Sequence, residues 1–319
     1  MRALPYAAAL LLLVAGCERA AEPPRPPDRA TAITTTAPAA PHDWVVAPDV
    51  EPGERDAGPR RIVSAAPSVT EICHALGLGD RLVGRTRYCQ YPPAVAAVRD
   101  LGALTDVNIE VLVGLRPDLI LVAGQSRAIS DRFARANLRF ESVPDARLDD
   151  VFTAITRIGE LTGRPLTAER LVAALRGELA DITAQYRGTP PARVLVTLAP
   201  LTDPPTPPYV AGAGSFYDDL LRMAGHSNAA GPADAFAPLS LEVITRSDPD
   251  VIIELDPDTG TRPRGTRDAV AAWARVGPLK AVRRGRVHVL HGRQHFMPGP
   301  RITHTYAELC RAIAEPGHD

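Results

Sequence analysis

The feature that most constrains this 319-residue chain is a motif that occurs twice. It occupies residues 108–121 and 240–253, and each copy places a glutamate, Glu110 or Glu242, seven residues before a Pro-Asp pair and a short apolar run. The Asn or Ser that precedes the glutamate is a good helix N-cap, and the helix dipole favours a negative charge in the first turn. Proline ends such a helix. Each copy therefore predicts a short helix followed by a strand that is covered on both faces.

A second parallel lies upstream of each copy, in residues 61–77 and 193–225. Both stretches are typical of a strand, a loop, a helix with a capping box and a glycine stop, and Ser68 and Ser215 are the predicted caps. Repeated strand–helix units of this kind favour parallel sheets. We therefore predict an α/β protein with two similar Rossmann-like lobes, whose ligand-facing loops open at the carboxyl ends of the strands.

The segment between the two lobes is predicted to be helical. One helix covers residues 148–162, and a second begins with Thr167 as its cap and ends near Arg187. The second helix carries an apolar stripe and would be roughly 30 Å long. The chain would thus cross between the lobes once, through a rigid strut, so we expect the cleft to close little. The predicted domains are an N-terminal lobe (60–147), connecting helices (148–190) and a C-terminal lobe (191–315).

The N-terminus is predicted to be a lipoprotein signal peptide, residues 1–17. Arg2 supplies the positive charge, the following apolar run is short for a membrane span, and Ala15-Gly16-Cys17 resembles a bacterial lipobox in which Cys17 is acylated. Residues 18–59 are rich in proline and are predicted to form a disordered tether. The apolar island Trp44-Val45-Val46 within this tether is expected to make no contact with the body.

Composition narrows the class of protein. The formal net charge is −1, so the chain lacks the excess of positive charge that binds nucleic acid. The basic run at residues 283–286 fits a solvated turn. No second hydrophobic span follows the signal peptide, so we expect a soluble body. In an exported protein Cys73 and Cys89 could form a disulfide, whereas Cys310 lies on a helical apolar stripe and is expected to be a buried thiol.

Several stretches together resemble one family. The chain is similar to the substrate-binding proteins of ABC importers, in the class with a helical backbone that carries cobalamin, ferric siderophores or haem. The resemblance covers roughly residues 60–314, and the matching stretches are Arg61-Ile62-Val63-Ser64-Ala65-Ala66-Pro67-Ser68-Val69-Thr70-Glu71, Tyr88-Cys89-Gln90-Tyr91-Pro92-Pro93, Asn108-Ile109-Glu110, Pro117-Asp118, Leu239-Ser240-Leu241-Glu242 and Pro300-Arg301-Ile302.

The resemblance implies partners and site residues. Glu110 and Glu242 would dock into arginine pockets on the two subunits of an ABC permease, although both could also simply stabilise their helices. The residues implied at the ligand cleft are Tyr88, Gln125, Tyr209, Phe236, Arg293, His295 and Phe296. Flat aromatic faces suit a macrocycle. The protein would be an exported monomer that is lipid-anchored to a bacterial membrane and faces the periplasm or the cell surface.

The ligand stays open at this stage. Cobalamin or a related corrinoid is the first expectation, but the cobalamin binder uses tryptophans in its cleft, and this chain has only Trp44 and Trp273. The loop at residues 291–297 offers histidine, arginine and methionine side chains, which suit a ferric siderophore or haem. No spacing predicts a bound metal, and no cofactor is expected.

An enzyme is the alternative from another class. Residues 124–128 come close to the nucleophile elbow of serine hydrolases, with Ser126 as the nucleophile, and Asp256 and His288 follow in hydrolase order. However, alanine replaces the last glycine of the elbow, and no oxyanion-hole glycine motif precedes it. The duplicated lobes are also foreign to that fold, so we expect no enzymatic activity.

Overall fold

The N-terminal lobe is built on a four-stranded sheet in which all strands are parallel. The computed structural model describes residues 42–45, 50–54, 58–103, 108–124, 127–257 and 264–317, with side chains undescribed at 127–130. The strand order is β2-β1-β3-β4. The elements are β1 (Ile62–Ser64), α1 (Pro67–Ala75), β2 (Leu82–Arg85), α2 (Ile109–Gly114), β3 (Leu119–Ala123), α3 (Arg127–Arg135) and β4 (Phe140–Val143).

Two helices connect this lobe to the next, as the sequence predicts. Helix α4 is Leu148–Thr162, and α5 is Pro165–Gln185. Helix α5 has 21 residues and is therefore about 32 Å long. Its predicted stripe is buried: Leu171, Leu175, Leu179 and Ile182. These side chains belong to one continuous hydrophobic core that also contains residues of both lobes, so the strut is packed into the body.

The C-terminal lobe repeats the plan and extends it. Its elements are β5 (Arg193–Thr197), β6 (Tyr209–Ala211), α6 (Phe216–Met223), β7 (Ser227–Asn228), β8 (Phe236–Pro238), α7 (Leu241–Ser247), β9 (Val251–Asp256), α8 (Thr266–Ala274), α9 (Lys280–Arg283), β10 (Val287–His291) and α10 (Ile302–Ala314). Strands β10, β9 and β5 are parallel, whereas β6 and β8 add an antiparallel arm. The predicted fold class is confirmed, but this second sheet is mixed instead of wholly parallel.

The sequence repeat is a structural repeat. Asp118 and Asp250, the aspartates of the two Pro-Asp pairs, play the same part in their lobes. The Asp118 carboxylate accepts the backbone N–H of Arg61 at 2.8 Å, and the Asp250 carboxylate accepts that of Arg193 at 3.0 Å. Each aspartate therefore ties the start of one strand to the start of its neighbour.

Three of the five predicted helix caps are confirmed, and Ser68 and Thr167 are not caps. Helix α5 begins at Pro165, so Thr167 lies inside its first turn. The side chains of Asn108, Ser240 and Ser215 accept backbone N–H groups at the starts of α2, α7 and α6. Ser68 is not a cap, because α1 begins one residue earlier, at Pro67. Proline is well suited to the first helical position, since its missing N–H would have no partner there. Within the described ranges, no helix has the length and apolar character needed to span a bilayer.

The expectation that the apolar island of the tether makes no contact with the body is wrong. Residues 42–45 and 50–54, which we call the strap, pack on the body. Val45 is only 2% exposed, and the Trp44 indole N–H donates to Glu178 on α5 at 3.3 Å. Val46 lies outside the described residues. Part of the segment predicted to be a disordered tether is therefore ordered against α5.

Candidate ligand cleft and docking surface

Three large aromatic side chains are exposed near strand ends. Tyr88 follows β2 and is 53% exposed, while Tyr209 and Phe236 begin β6 and β8 and are 57% and 42% exposed. In the register of these antiparallel strands, Tyr209 pairs with Pro238 and Ala211 pairs with Phe236. Because side chains alternate along a strand, Tyr209 and Phe236 project from the same face of the sheet as diagonal neighbours. The C-terminal lobe thus presents an exposed aromatic pair.

This aromatic pair lies on the side of the sheet that carries α6. The ring centroids of Phe236 and Phe216 are 6.3 Å apart, and Phe216 is buried in the core shared by the two lobes. Tyr209 lies at the carboxyl end of β5, because the first residue after that strand, Leu198, donates its N–H to the Tyr209 carbonyl at 2.9 Å. The carboxyl ends of parallel strands are where α/β folds bind ligands. The two rings are therefore placed to offer apolar contact to a ligand there.

The loop after β10 has a buried centre and an exposed side. The His295 ring has no accessible surface and lies 3.4 Å from Glu308 and 3.3 Å from Thr305, while the Tyr217 hydroxyl donates to the His295 carbonyl. Phe296 is partly buried against the core, and Arg293 is half-buried. The contacts of His295 therefore hold the loop in place. Of the three residues predicted in this loop to bind the ligand, Arg293 is the one that keeps a charged, partly exposed side chain.

The two glutamates occupy matching positions on their lobes. Each lies in the first turn of a short helix, and each side chain is exposed. Glu242 forms an ion pair at 2.6 Å with Arg246 on its own helix, whereas Glu110 has no ion-pair partner among the described residues. Each has an exposed valine nearby: Val113 is 46% exposed and Val243 is 37% exposed. The two lobes thus present similar exposed glutamates, of which only Glu242 has an arginine beside it.

Two ion pairs join the lobes near the ends of the strands. Arg147, which precedes α4, binds Asp219 on α6 through two nitrogens, one at 2.9 Å. Arg301, which precedes α10, binds Glu71 on α1 in the same bidentate way, with one bond of 3.0 Å. Glu71 is 2% exposed. Burial raises the pKa of Glu71, and the Arg301 guanidinium opposes that shift. The sequence interpretation assigned no role to these four residues, although Glu71 and Arg301 belong to stretches that resemble the family.

The predicted disulfide is not formed in the structure. Cys73 and Cys89 are free, fully buried thiols, and the Cys89 sulfur lies 3.1 Å from the Thr86 hydroxyl. Burial, and to a smaller extent the nearby Cys89, raises the pKa of Cys73 to about 12, so the thiol stays protonated at neutral pH. Cys310 is also a buried thiol, as predicted.

Some predicted site residues cannot be placed. Cys17, Gln125 and Ser126 lie outside the described residues. Within the ranges that the structure does describe, no three His, Cys, Asp or Glu side chains are grouped to hold a metal ion.

Comparison with known proteins defines the class. Two α/β lobes joined by a helical strut are the architecture of a solute-binding protein of an ABC importer. The sequence profile of the periplasmic binding protein family matches residues 62–293, which is most of the folded body, and the chain belongs to this family. The resemblance predicted from the sequence is thus confirmed. Members of this class transport solutes and are not enzymes, which also confirms the expectation that the chain is not an enzyme.

Three similar proteins illustrate the range of the family. An uncharacterized ABC transporter substrate-binding lipoprotein, YvrC of Bacillus subtilis, is 30% identical over 265 residues, covering 80% of each chain. A cobalamin-binding protein of Halobacterium salinarum is 30% identical over 271 residues, covering 81% of this chain and 70% of the relative. The structure of the periplasmic heme-binding protein RhuT from Roseiflexus is 26% identical, with a TM-score of 0.67, and covers 81% of this chain and 98% of that one.

Proposed function

We propose that this protein captures cobalamin or a related corrinoid in the cleft between its lobes and delivers it to an ABC permease. The observation that carries the proposal is the exposed aromatic pair, Tyr209 and Phe236, which shares one face of the sheet at the strand ends. Tyr88 in the other lobe supplies a third exposed ring. Aromatic faces bury apolar area of a large planar ring without demanding an ionic partner. The cobalamin-binding relative at 30% identity supports the same ligand class.

Haem is the second candidate, and two features favour it. Neither tryptophan of the described residues belongs to the aromatic set, because Trp273 is fully buried and Trp44 lies in the strap. The exposed phenol of Tyr88 is of the type that ligates ferric haem iron. Arg293 would suit the carboxylates of haem or of a ferric siderophore.

Titration calorimetry separates these candidates. The purified protein is titrated with cyanocobalamin, haemin and a ferric siderophore, and we expect tight binding of cyanocobalamin alone. Tight binding of haemin alone would replace the first proposal with the second, and failure of all three to bind would refute both. As a matched control, Leu166→Ala removes an apolar side chain that is 55% exposed but lies at the start of α5, so it should leave affinity unchanged.

Docking and anchoring complete the proposal. Glu110 and Glu242 would each engage one permease subunit, since two exposed charges on rigid helix starts favour orientation and rate of encounter. Cys17 would carry the lipid anchor of an exported protein that acts as a monomer. Exchanging Cys17 for serine should release the protein from the membrane fraction, and continued membrane attachment would refute lipidation at this residue.

A further inference from the structure

The strap holds α5 near the middle of the helix. The Glu178 carboxylate accepts the backbone N–H of His42 at 2.6 Å and the indole N–H of Trp44 at 3.3 Å. Val45 is buried beside them. Hydrogen bonds to a charged acceptor are stronger than neutral ones. The Glu178 carboxylate on α5 therefore binds the strap at both His42 and Trp44.

The other end of the strap caps the start of the same helix. Glu54 is 8% exposed and accepts the backbone N–H groups of Leu166 at 2.7 Å and Thr167 at 3.0 Å. These N–H groups belong to the first turn of α5, where no carbonyl of the helix can satisfy them. Glu51 adds an ion pair with Arg170. The strap thus contacts α5 at two points, separated by about 17 Å along the helix axis.

At the first of these points, beside His42 and Trp44, the strap also reaches the junction of the lobes. Asp43 accepts a hydrogen bond from the hydroxyl of Tyr91, a residue of the N-terminal lobe. The guanidinium of Arg301, from the C-terminal lobe, lies 3.9 Å from the centre of the Tyr91 ring. The same guanidinium binds the buried Glu71. These contacts therefore connect the strap to Tyr91 in the N-terminal lobe, Tyr91 to Arg301 in the C-terminal lobe, and Arg301 to Glu71 in the N-terminal lobe.

Each of these contacts helps to fix the geometry of the next one. Burial and the neighbouring carboxylate of Asp43 raise the pKa of Tyr91 to about 12, so the phenol is protonated at neutral pH and acts as the donor. A fixed Tyr91 ring gives Arg301 a defined face for a cation–π contact. A buried ion pair such as Glu71–Arg301 stabilises a structure only when its geometry is well held. The geometry of this ion pair between the lobes is thus linked to the strap through Tyr91.

We propose that the strap is a positioning element of the binding body, which sets the spacing of the two lobes through Asp43, Tyr91 and Arg301. This segment, which carries the acidic residues Asp43, Glu51 and Glu54, is part of the receptor and does more than connect it to an anchor. The inference deepens the proposed function, because the spacing of the lobes is the width of the cleft.

The test measures the distance between the lobes directly. Nitroxide labels are attached in the full chain carrying Cys17→Ser, at Arg135→Cys on α3 and Arg267→Cys on α8, two exposed positions in different lobes. Cys73, Cys89 and Cys310 are buried and should not react. The distance distribution is then compared, without ligand, for Asp43→Ala, Tyr91→Phe and the double variant. Tyr91→Phe keeps the ring beside Arg301 and removes only the hydroxyl.

We expect each single variant to broaden the distance distribution. The double variant should broaden it no further, because both changes break the same hydrogen bond. Asp181→Ala on the exposed side of α5 and Tyr186→Phe at its end are matched controls and should leave the distribution unchanged. Distributions for Asp43→Ala and Tyr91→Phe that match the controls would overturn the proposal.

A binding measurement separates this proposal from the proposed function. Asp43→Ala should weaken binding of whichever probe the parent protein binds among cyanocobalamin, haemin and a ferric siderophore. If no probe binds the parent, the proposed function fails while the label distances still decide the role of the strap. Broadened distances with unchanged affinity would overturn the link between the strap and the cleft.

Discussion

The two lobes share a scaffold but differ in what they add to it. In both, an aspartate ties neighbouring strands together and a capped helix presents a glutamate. The C-terminal lobe alone, among the described residues, adds the antiparallel arm β6–β8, and that arm carries two of the three exposed aromatic rings. In the proposed function, the repeated part would serve docking, which needs two equivalent points, and the added arm would serve recognition of the ligand.

Charge reversal of both glutamates should produce the largest effect. Glu110→Lys with Glu242→Lys should abolish uptake of the ligand by cells while leaving its affinity unchanged, because like charges at a docking surface repel. Among single changes, Glu110→Lys should reduce uptake more, since Glu242 is already paired with Arg246. Uptake assays together with calorimetry check both statements. Equal losses from the two single variants would show that the local ion pair is irrelevant to docking.

Removal of the exposed aromatic rings tests whether the C-terminal lobe contributes more to ligand binding than the N-terminal lobe. Tyr209→Ala or Phe236→Ala should weaken ligand binding about 10- to 100-fold, the loss expected for an aromatic ring that a ligand buries. Tyr88→Ala removes the one exposed aromatic ring among the described residues of the N-terminal lobe and should weaken binding no more than either of these changes. Calorimetry gives the affinities. If Tyr88→Ala alone abolishes binding, recognition depends on the N-terminal lobe and the comparison is reversed.

The strap should contribute a pH dependence of stability through Glu54. Burial works against it, but hydrogen bonds from Thr167 and Leu166 hold the pKa of Glu54 below its usual value of 4.5. Because the folded pKa is the lower one, this stabilisation is present above pH 4.5 and is lost as the pH falls through the lowered value.

Melting temperatures between about pH 5.5 and about pH 3.5 test this statement. The difference between the parent and Glu54→Gln should shrink on acidification, and the exposed Glu169→Gln is the control. If the difference in melting temperature between the parent and Glu54→Gln stayed constant over this pH range, Glu54 would not contribute to the pH dependence of stability.

The scaffold aspartates should give the smallest effects. Asp118→Ala and Asp250→Ala should each lower the free energy of unfolding by about 1 kcal/mol, because each removes hydrogen bonds to backbone groups that water can partly replace. Asp118 also accepts the N–H of Arg60 at 2.9 Å, so its loss should cost slightly more. Denaturant unfolding measures both values. A large loss for only one variant would mean that the two lobes are unequal in their scaffold as well.

What the sequence could predict depended on short-range chemistry. The caps Asn108 and Ser240 and helix α4 follow from local hydrogen bonding and periodicity, so their positions were correct. The arm β6–β8 was missed because its strands have three residues each and one follows a proline-rich loop. Such short strands form only as additions to an existing sheet, with β6 beside β5 and β8 beside β6.

The site was harder to predict because burial is set by distant parts of the chain. Nothing near His295 in sequence shows that Glu308 and Thr305 enclose its ring. Proline content likewise pointed away from order at residues 42–45 and 50–54, yet Glu178 and Thr167, more than 100 residues later, supply the partners that order them. Local composition describes what a segment does alone and does not show which surface it will meet.

If Cys17 carries the anchor, as proposed, the strap would also set how far the receptor can move from the membrane. The connection from Cys17 to His42, where the strap begins, contains 24 residues (18–41), whereas a body beginning at Arg60 would have left 42 residues (18–59). A fully extended chain covers at most about 3.6 Å per residue, so the maximum reach falls from roughly 150 Å to roughly 86 Å. In the proposed function, the shorter connection would confine the loaded receptor to a thinner layer above the bilayer and raise its local concentration at the importer.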